Sequence, residues 1–125
     1  MSKKILVVDD EEILIKTMNR LLEKQGYQVY TAKNGVDAQV LIEEESFDLI
    51  ISDIRMPGQN GIETIKSIQE FLRNKKDEIP VIFITGFADE KMENEAKKLK
   101  PIAYLTKPFD TKELIQIIQQ NIGVS

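Results

Sequence analysis

Five polar side chains close apolar runs in this sequence. Asp9 and Asp10 follow ILVV, Asp53 follows LIIS, Thr85 follows VIFI, and Lys107 follows YLT. Each has an ordinary structural reading. An Asp-Asp pair after a strand caps the next helix, and Glu11-Glu12 extends a favourable acidic first turn. Asp53 before Arg55-Met-Pro-Gly suits a turn, Thr85 suits a strand, and Lys107 before Pro108 suits a solvated loop. Taken together they are three carboxylates, a hydroxyl and an ammonium at equivalent places. Carboxylates packed together with no His among them repel, so one would hold a proton. A hard divalent cation relieves this. Oxygen-only ligands point to Mg²⁺ or Mn²⁺ rather than zinc, and Mg²⁺ leaves a vertex for a phosphate oxygen. Lys107 then offers positive charge to a phosphoryl group and Thr85 a hydroxyl. The expected chemistry is Mg²⁺-dependent phosphoryl transfer, with a carboxylate able to act as nucleophile and form an aspartyl phosphate.

The elements that must position these groups can be read from the apolar pattern. Ile5–Val8, Leu49–Ile51 and Val81–Ile84 are continuous apolar runs, as expected of parallel strands covered on both faces. Tyr27–Thr31 and Ile102–Thr106 are more mixed and suit edge strands. Helical stripes lie between them. Leu14, Met18, Leu21 and Leu22 form the first, ended by Gly26. Ala38, Leu41 and Ile42 follow Asn34 as N-cap, and Ile62, Ile65, Ile68 and Leu72 form the third. The fourth stripe, Met92, Ala96 and Leu99, is thin, and its helix carries acid early, base late and a Glu93/Lys97 pair. The fifth opens with Asp110 and Glu113 in a capping-box pattern before Leu114, Ile117, Ile118 and Ile122. Five βα units imply a parallel sheet with right-handed crossovers, a doubly wound three-layer sandwich. In such sheets ligands bind beyond the carboxyl ends of the strands, where the five polar groups fall.

Composition narrows the chemistry further. The chain has 125 residues, 42% hydrophobic and 30% charged, so residues 1–125 are expected to form one domain. With no Cys and no His, disulfides, thiolate or His-ligated zinc, Ser-His-Asp triads and a phosphohistidine carrier are excluded. The formal net charge of -4 is not that of a nucleic-acid binder, and Lys97, Lys98 and Lys100 are too short a cluster to change this. No apolar run approaches the roughly 18 residues of a membrane span, and the N-terminal apolar stretch ends in acid too soon for a signal peptide. The expected location is the cytoplasm.

The segments ILVVDDEE, DLIISDIRMPGQNGIE, VIFITG and YLTKPF resemble the receiver domain of bacterial two-component response regulators, the family of the chemotaxis response regulator. The resemblance covers essentially the whole chain. It implies a flavodoxin-like (βα)5 fold with strand order 2-1-3-4-5. It also implies roles. Asp53 would accept a phosphoryl group from the phosphohistidine of a sensor histidine kinase or a phosphotransfer protein. Asp10, Asp53 and the backbone carbonyl of Arg55 would ligate Mg²⁺, with Asp9 acting mainly through water. Lys107 would contact the phosphoryl oxygens, and the Lys107-Pro108 bond would be cis. Thr85 would turn its hydroxyl toward the phosphoryl group, joined by the Gly86 amide, while Tyr104 rotates inward. The face made by helix 4, strand 5 and helix 5 would then bind a downstream protein or a fused output domain. The implied protein is a signalling phosphoacceptor rather than an enzyme, active as a monomer, with dimerisation on phosphorylation as the alternative.

Some residues depart from the family pattern. Lys100-Pro101 stands where Gly-Ala is usual before strand 5. Lys100 is strained if it takes positive φ, and Pro101 pushes it toward an extended conformation. Gln59-Asn60 replaces a common Met-Asp. Arg55 and Phe87 fill positions that help to set aspartyl-phosphate lifetime. Other functions fit less well. A phosphatase of the haloacid-dehalogenase kind would place a second Asp where Arg55 stands. A flavin or nucleotide binder would need a Gly-rich loop where Asp9-Asp10 stand. A receiver-like module independent of phosphate, or the excised receiver of a transcriptional regulator or hybrid kinase, remains open at this level.

Overall fold

The computed structural model describes residues 2–56, 59–86 and 89–124. Phe87 lies outside the described residues. The main elements are β1 (Lys4–Val8), α1 (Glu12–Lys24), β2 (Gln28–Ala32), α2 (Gly35–Glu44), β3 (Leu49–Asp53), α3 (Gly61–Asn74), β4 (Val81–Thr85), α4 (Glu90–Lys97), β5 (Ala103–Thr106) and α5 (Thr111–Ile122). The five strands pair in parallel in the order β2-β1-β3-β4-β5. No helix among the described residues is long and apolar enough to cross a membrane.

Period-two alternation inside the apolar runs sorts the core into two layers. Ile5, Val7, Leu49, Ile51, Ile82 and Ile84 face Met18 and Leu22 of α1 and Leu114 and Ile118 of α5. Leu6, Val8, Ile50, Val81 and Phe83 face Ile42 of α2, Ile62, Ile65 and Ile68 of α3, and Ala96 of α4. β3 and β4 are buried along their whole length, whereas β2 and β5 at the sheet edges are partly exposed. The mixed composition of the two edge segments follows from this.

Helix ends account for the places where elements begin. After α1, the Gly26 N–H donates to the Glu23 carbonyl at 2.9 Å and the Tyr27 N–H to the Leu22 carbonyl at 3.2 Å, with Gly26 at φ 92°. This is a Schellman ending, in which glycine supplies the left-handed residue. It consumes the Tyr27 N–H, so β2 starts at Gln28 rather than at Tyr27. Asn34, Asn60, Asp89 and Asp110 each accept backbone N–H bonds at the starts of α2, α3, α4 and α5. Asn60 thus retains a capping role in place of the usual Asp. The expected Glu93–Lys97 ion pair forms at 2.7 Å.

A short antiparallel ladder, Arg55–Met56 with Gln59–Asn60, links β3 to α3. It folds the chain back over the end of β3. A Cβ on Gly61 would collide with the Asp53 carbonyl oxygen and lie 2.9 Å from the Ile54 Cα. Glycine is required there by close approach, not by its φ.

Lys100 adopts φ 57°, and its N–H donates to the Lys97 carbonyl at 3.0 Å. The preference for an extended residue before Pro101 is overridden by this helix-ending hydrogen bond. A lysine in the left-handed region is strained by roughly 1–2 kcal/mol, and glycine's extra freedom in the unfolded chain returns part of that. Lys100→Gly is therefore expected to raise stability by about 0.5–1 kcal/mol. Urea unfolding measures this, and a loss of stability would contradict the assigned backbone.

Candidate functional site

Strand register brings the polar residues together. Val8 pairs with Ser52, which sets Asp9 beside Asp53. Asp53 pairs with Ile84, leaving Thr85 one step beyond, and Thr85 pairs with Thr106, leaving Lys107 one step beyond again. The Lys107 N–H donates to the Thr85 carbonyl at 2.7 Å, which fixes the start of the loop after β5. The Lys107-Pro108 peptide is cis, as the sequence resemblance implied.

The Lys107 ammonium lies at the centre of this rim. Its Nζ is 3.2 Å from Asp9 Oδ2, 3.2 Å from Asp53 Oδ2 and 2.8 Å from Glu11 Oε1. Asp9 is fully buried and Asp53 only 4% exposed. Asp9 Oδ1 accepts the Glu11 N–H at 3.0 Å, so Asp9 shapes the turn before α1 rather than capping the helix. Asp53 Oδ1 accepts the Arg55 N–H at 3.3 Å. Asp10 is half-buried, and carboxylate oxygens of Asp9, Asp10 and Asp53 all lie within 4.8 Å of one another. Thr85 is buried at the same rim, and Gly86 is exposed beside the Lys107 side chain.

Tyr104 pairs with Phe83 in the sheet and packs, half-buried, against the layer formed by α2, α3 and α4. Burial raises its hydroxyl pKa, and the charges of Glu93 and Asp89 at α4 raise it further. Tyr104 therefore sits on the strand that carries Lys107 and next to the helix of the expected output face.

Two residues that shape this site were not singled out from the sequence. Glu11 has the type and place of an acidic first-turn residue, yet it makes the shortest of the described ion pairs of the Lys107 ammonium. Gly61 carries no chemistry of its own, but an Asn-Gly pair directly before the Ile62 stripe is a legible sign of a tight approach.

The electrostatics favour a cation. Burial raises the Asp9 carboxyl to about 6 against the lowering effects of the Glu11 N–H and Lys107, and the Asp53 charge adds a smaller rise. Burial also raises Asp53, against the lowering effect of Lys107. Burial would lower the Lys107 ammonium, but the Glu11 hydrogen bond and the charges of Asp9 and Asp53 outweigh it, and its pKa is raised. Three clustered carboxylates facing one ammonium have a charge deficit that a hard divalent cation meets with oxygen ligands.

A sequence model described as the response regulator receiver domain matches residues 5–119. The chain belongs to the response regulator receiver domain family. It is similar to the Vibrio cholerae chemotaxis protein CheY4, with 29% identity, 97% of this chain and 99% of that chain covered, and a TM-score of 0.86. It is also similar to the N-terminal domain of a response regulator/sensory box/GGDEF 3-domain protein from Carboxydothermus hydrogenoformans, with 30% identity, 96% and 94% covered, and a TM-score of 0.83. A Burkholderia pseudomallei response regulator, solved with a phosphorylated aspartic acid, a calcium ion and citrate, is 28% identical over 97% of this chain and 69% of that one, with a TM-score of 0.83. This receiver domain therefore has the flavodoxin-like order read from its sheet, and its acidic cluster lies where a divalent metal binds in the family.

The raised carboxyl gives a pH dependence of defined sign. Between about 4, where the unfolded Asp9 loses its proton, and about 6, the folded protein retains that proton. Stability contributed by Asp9 is therefore lost as pH rises through this window. Above it the Asp9 carboxylate is charged beside Asp53 and Lys107. The rise in thermal midpoint on adding Mg²⁺ is expected to be large at pH 8 and small at pH 5. Melting curves at the two pH values check this, and equal shifts would contradict it.

Proposed function

We propose that Asp53 is the phosphoacceptor of a two-component phosphorelay, with a phosphohistidine of a kinase or phosphotransfer protein as donor. The observation that carries this reading is the nearly closed Asp53 carboxylate held 3.2 Å from the Lys107 ammonium. An Asp53 oxygen attacks phosphorus, a P–O bond forms and the P–N bond breaks. The departing imidazole nitrogen keeps the electron pair and takes up a proton. Lys107 stabilises charge on the phosphoryl oxygens, and the Thr85 hydroxyl and Gly86 amide supply further donors. Mg²⁺, held by Asp10, Asp53 and the Arg55 carbonyl with Asp9 acting through water, would neutralise charge on the transferring group when bound.

The product carries more negative charge and more acceptor oxygens beside Lys107 and Thr85. That change biases the Thr85 and Tyr104 side chains and, through them, the surface of α4, β5 and α5. A full population switch needs about 5.5 kcal/mol of differential interaction, more than a few charge-assisted hydrogen bonds provide. Binding of a downstream protein or a joined output domain completes the shift. The chain acts in the cytoplasm as a signalling phosphoacceptor, with self-phosphorylation and self-dephosphorylation as its own slow chemistry.

Intact mass after incubation with Mg²⁺ and acetyl phosphate tests the reading. One phosphoryl addition is expected, dependent on Mg²⁺ and absent from Asp53→Asn. Lys107→Ala is expected to slow the addition about 10- to 100-fold, the effect of losing one charge-assisted hydrogen bond. No addition to the wild type, with no beryllofluoride binding either, would instead indicate a receiver-like module independent of phosphate.

A further inference from the structure

Lys107 has three N–H donors, and three carboxylates accept them: Asp9, Asp53 and Glu11. Glu11 makes the shortest of these bonds, 2.8 Å against 3.2 Å for each of the others. It is also the exposed partner, at 59% against 0% for Asp9 and 5% for Asp53. Its backbone explains how it reaches Lys107. Glu11 occupies the N-cap position of α1 but makes no side-chain cap bond there, whereas the other four helices have side-chain caps. The Asp9 side chain anchors the Glu11 N–H and turns the residue toward the rim. Glu12, the next acid, points elsewhere and pairs with Lys33 at 2.7 Å. The acidic run is therefore divided, with Glu11 directed to Lys107 and Glu12 to β2 and its following loop.

We propose that Glu11 is a positioning residue that competes with the phosphoryl group for Lys107, holding the ammonium toward the rim in the unphosphorylated protein and releasing it when Asp53 is modified. This rests on the phosphoacceptor reading of Asp53. Two anions sharing one ammonium each receive less from it, and they repel each other. Glu11 is the arm that yields. An exposed carboxylate returns to water at little cost, whereas the buried Asp9 left without its cation would be strongly destabilised. Glu11 thus favours the unmodified state and raises the threshold for occupancy of the phosphoryl site.

Calorimetric titration with beryllofluoride in Mg²⁺ tests this on the full chain. Glu11→Gln is expected to bind about two- to five-fold more tightly than wild type, the range of an exposed ion pair. Glu11→Asp keeps the charge but is one methylene shorter, and it is expected to follow Glu11→Gln. Glu12→Gln removes the same charge one residue away and is expected to match wild type. Equal affinity in wild type and Glu11→Gln, or weaker binding by Glu11→Gln, would overturn the proposal while leaving Asp53 as acceptor. Equal tightening by Glu12→Gln, or wild-type affinity in Glu11→Asp, would replace the contact with a general field effect and overturn it too. No binding by wild type that Asp53→Asn abolishes would remove the phosphoacceptor reading and this proposal with it.

Discussion

The Lys107 ammonium stands between the buried carboxylates of Asp9 and Asp53, 3.2 Å from each, and the rest of the site depends on that one cation. Two carboxylates out of contact with water repel each other and cost free energy to ionise. Lys107 makes their proximity tolerable without abolishing it, because burial still raises both carboxyl groups. The remaining deficit makes the cluster receptive to a divalent cation and, in the proposed function, to a phosphoryl group. A fully compensated site would lack that capacity.

The fold delivers this arrangement by register. Three adjacent parallel strands, apolar on both faces, bury their lengths and present their carboxyl ends on one rim. Each pairing then sets a step: Asp9 beside Asp53, Thr85 one residue past Asp53's partner, and Lys107 one residue past Thr85's partner. A slip of one residue in any strand would turn its polar terminus to the opposite face. The same two-layer core places Tyr104 against the α4 side, so the strand that ends near Lys107 also touches the surface expected to carry the signal. The ladder of Arg55–Met56 and Gln59–Asn60 turns the chain back so that Gly61 lies against the Asp53 backbone carbonyl.

Much of this was legible in the sequence because burial on both faces leaves a plain mark. The three central strands, the two edges, the caps Asn34 and Asp110 and the rim residues Asp9, Asp10, Asp53, Thr85 and Lys107 follow from apolar runs and what ends them, whereas the capping roles of Asn60 and Asp89 do not. The start of β2 was displaced because Tyr27 gives its N–H to the end of α1. The Arg55–Asn60 ladder was not visible, since strands of two residues have no periodicity to read. Lys100 showed two opposed preferences, and only the helix-ending bond to Lys97 decides between them. Glu11 was hidden for a different reason. Its type and place fit an acidic first turn, and its actual partner lies 96 positions away in sequence.

A double-mutant cycle between Lys107 and Asp53 tests the central claim most directly. Urea unfolding of Lys107→Met, Asp53→Asn and the double variant would be measured at pH 7.5 without divalent cations. The account predicts that Lys107→Met is strongly destabilising alone, by about 3 kcal/mol, because it strands buried carboxylates. It predicts that Asp53→Asn removes a large part of that cost, giving a coupling of at least about 1 kcal/mol. Additive effects would contradict it, since they would mean that the ammonium does not hold the acceptor carboxylate in place.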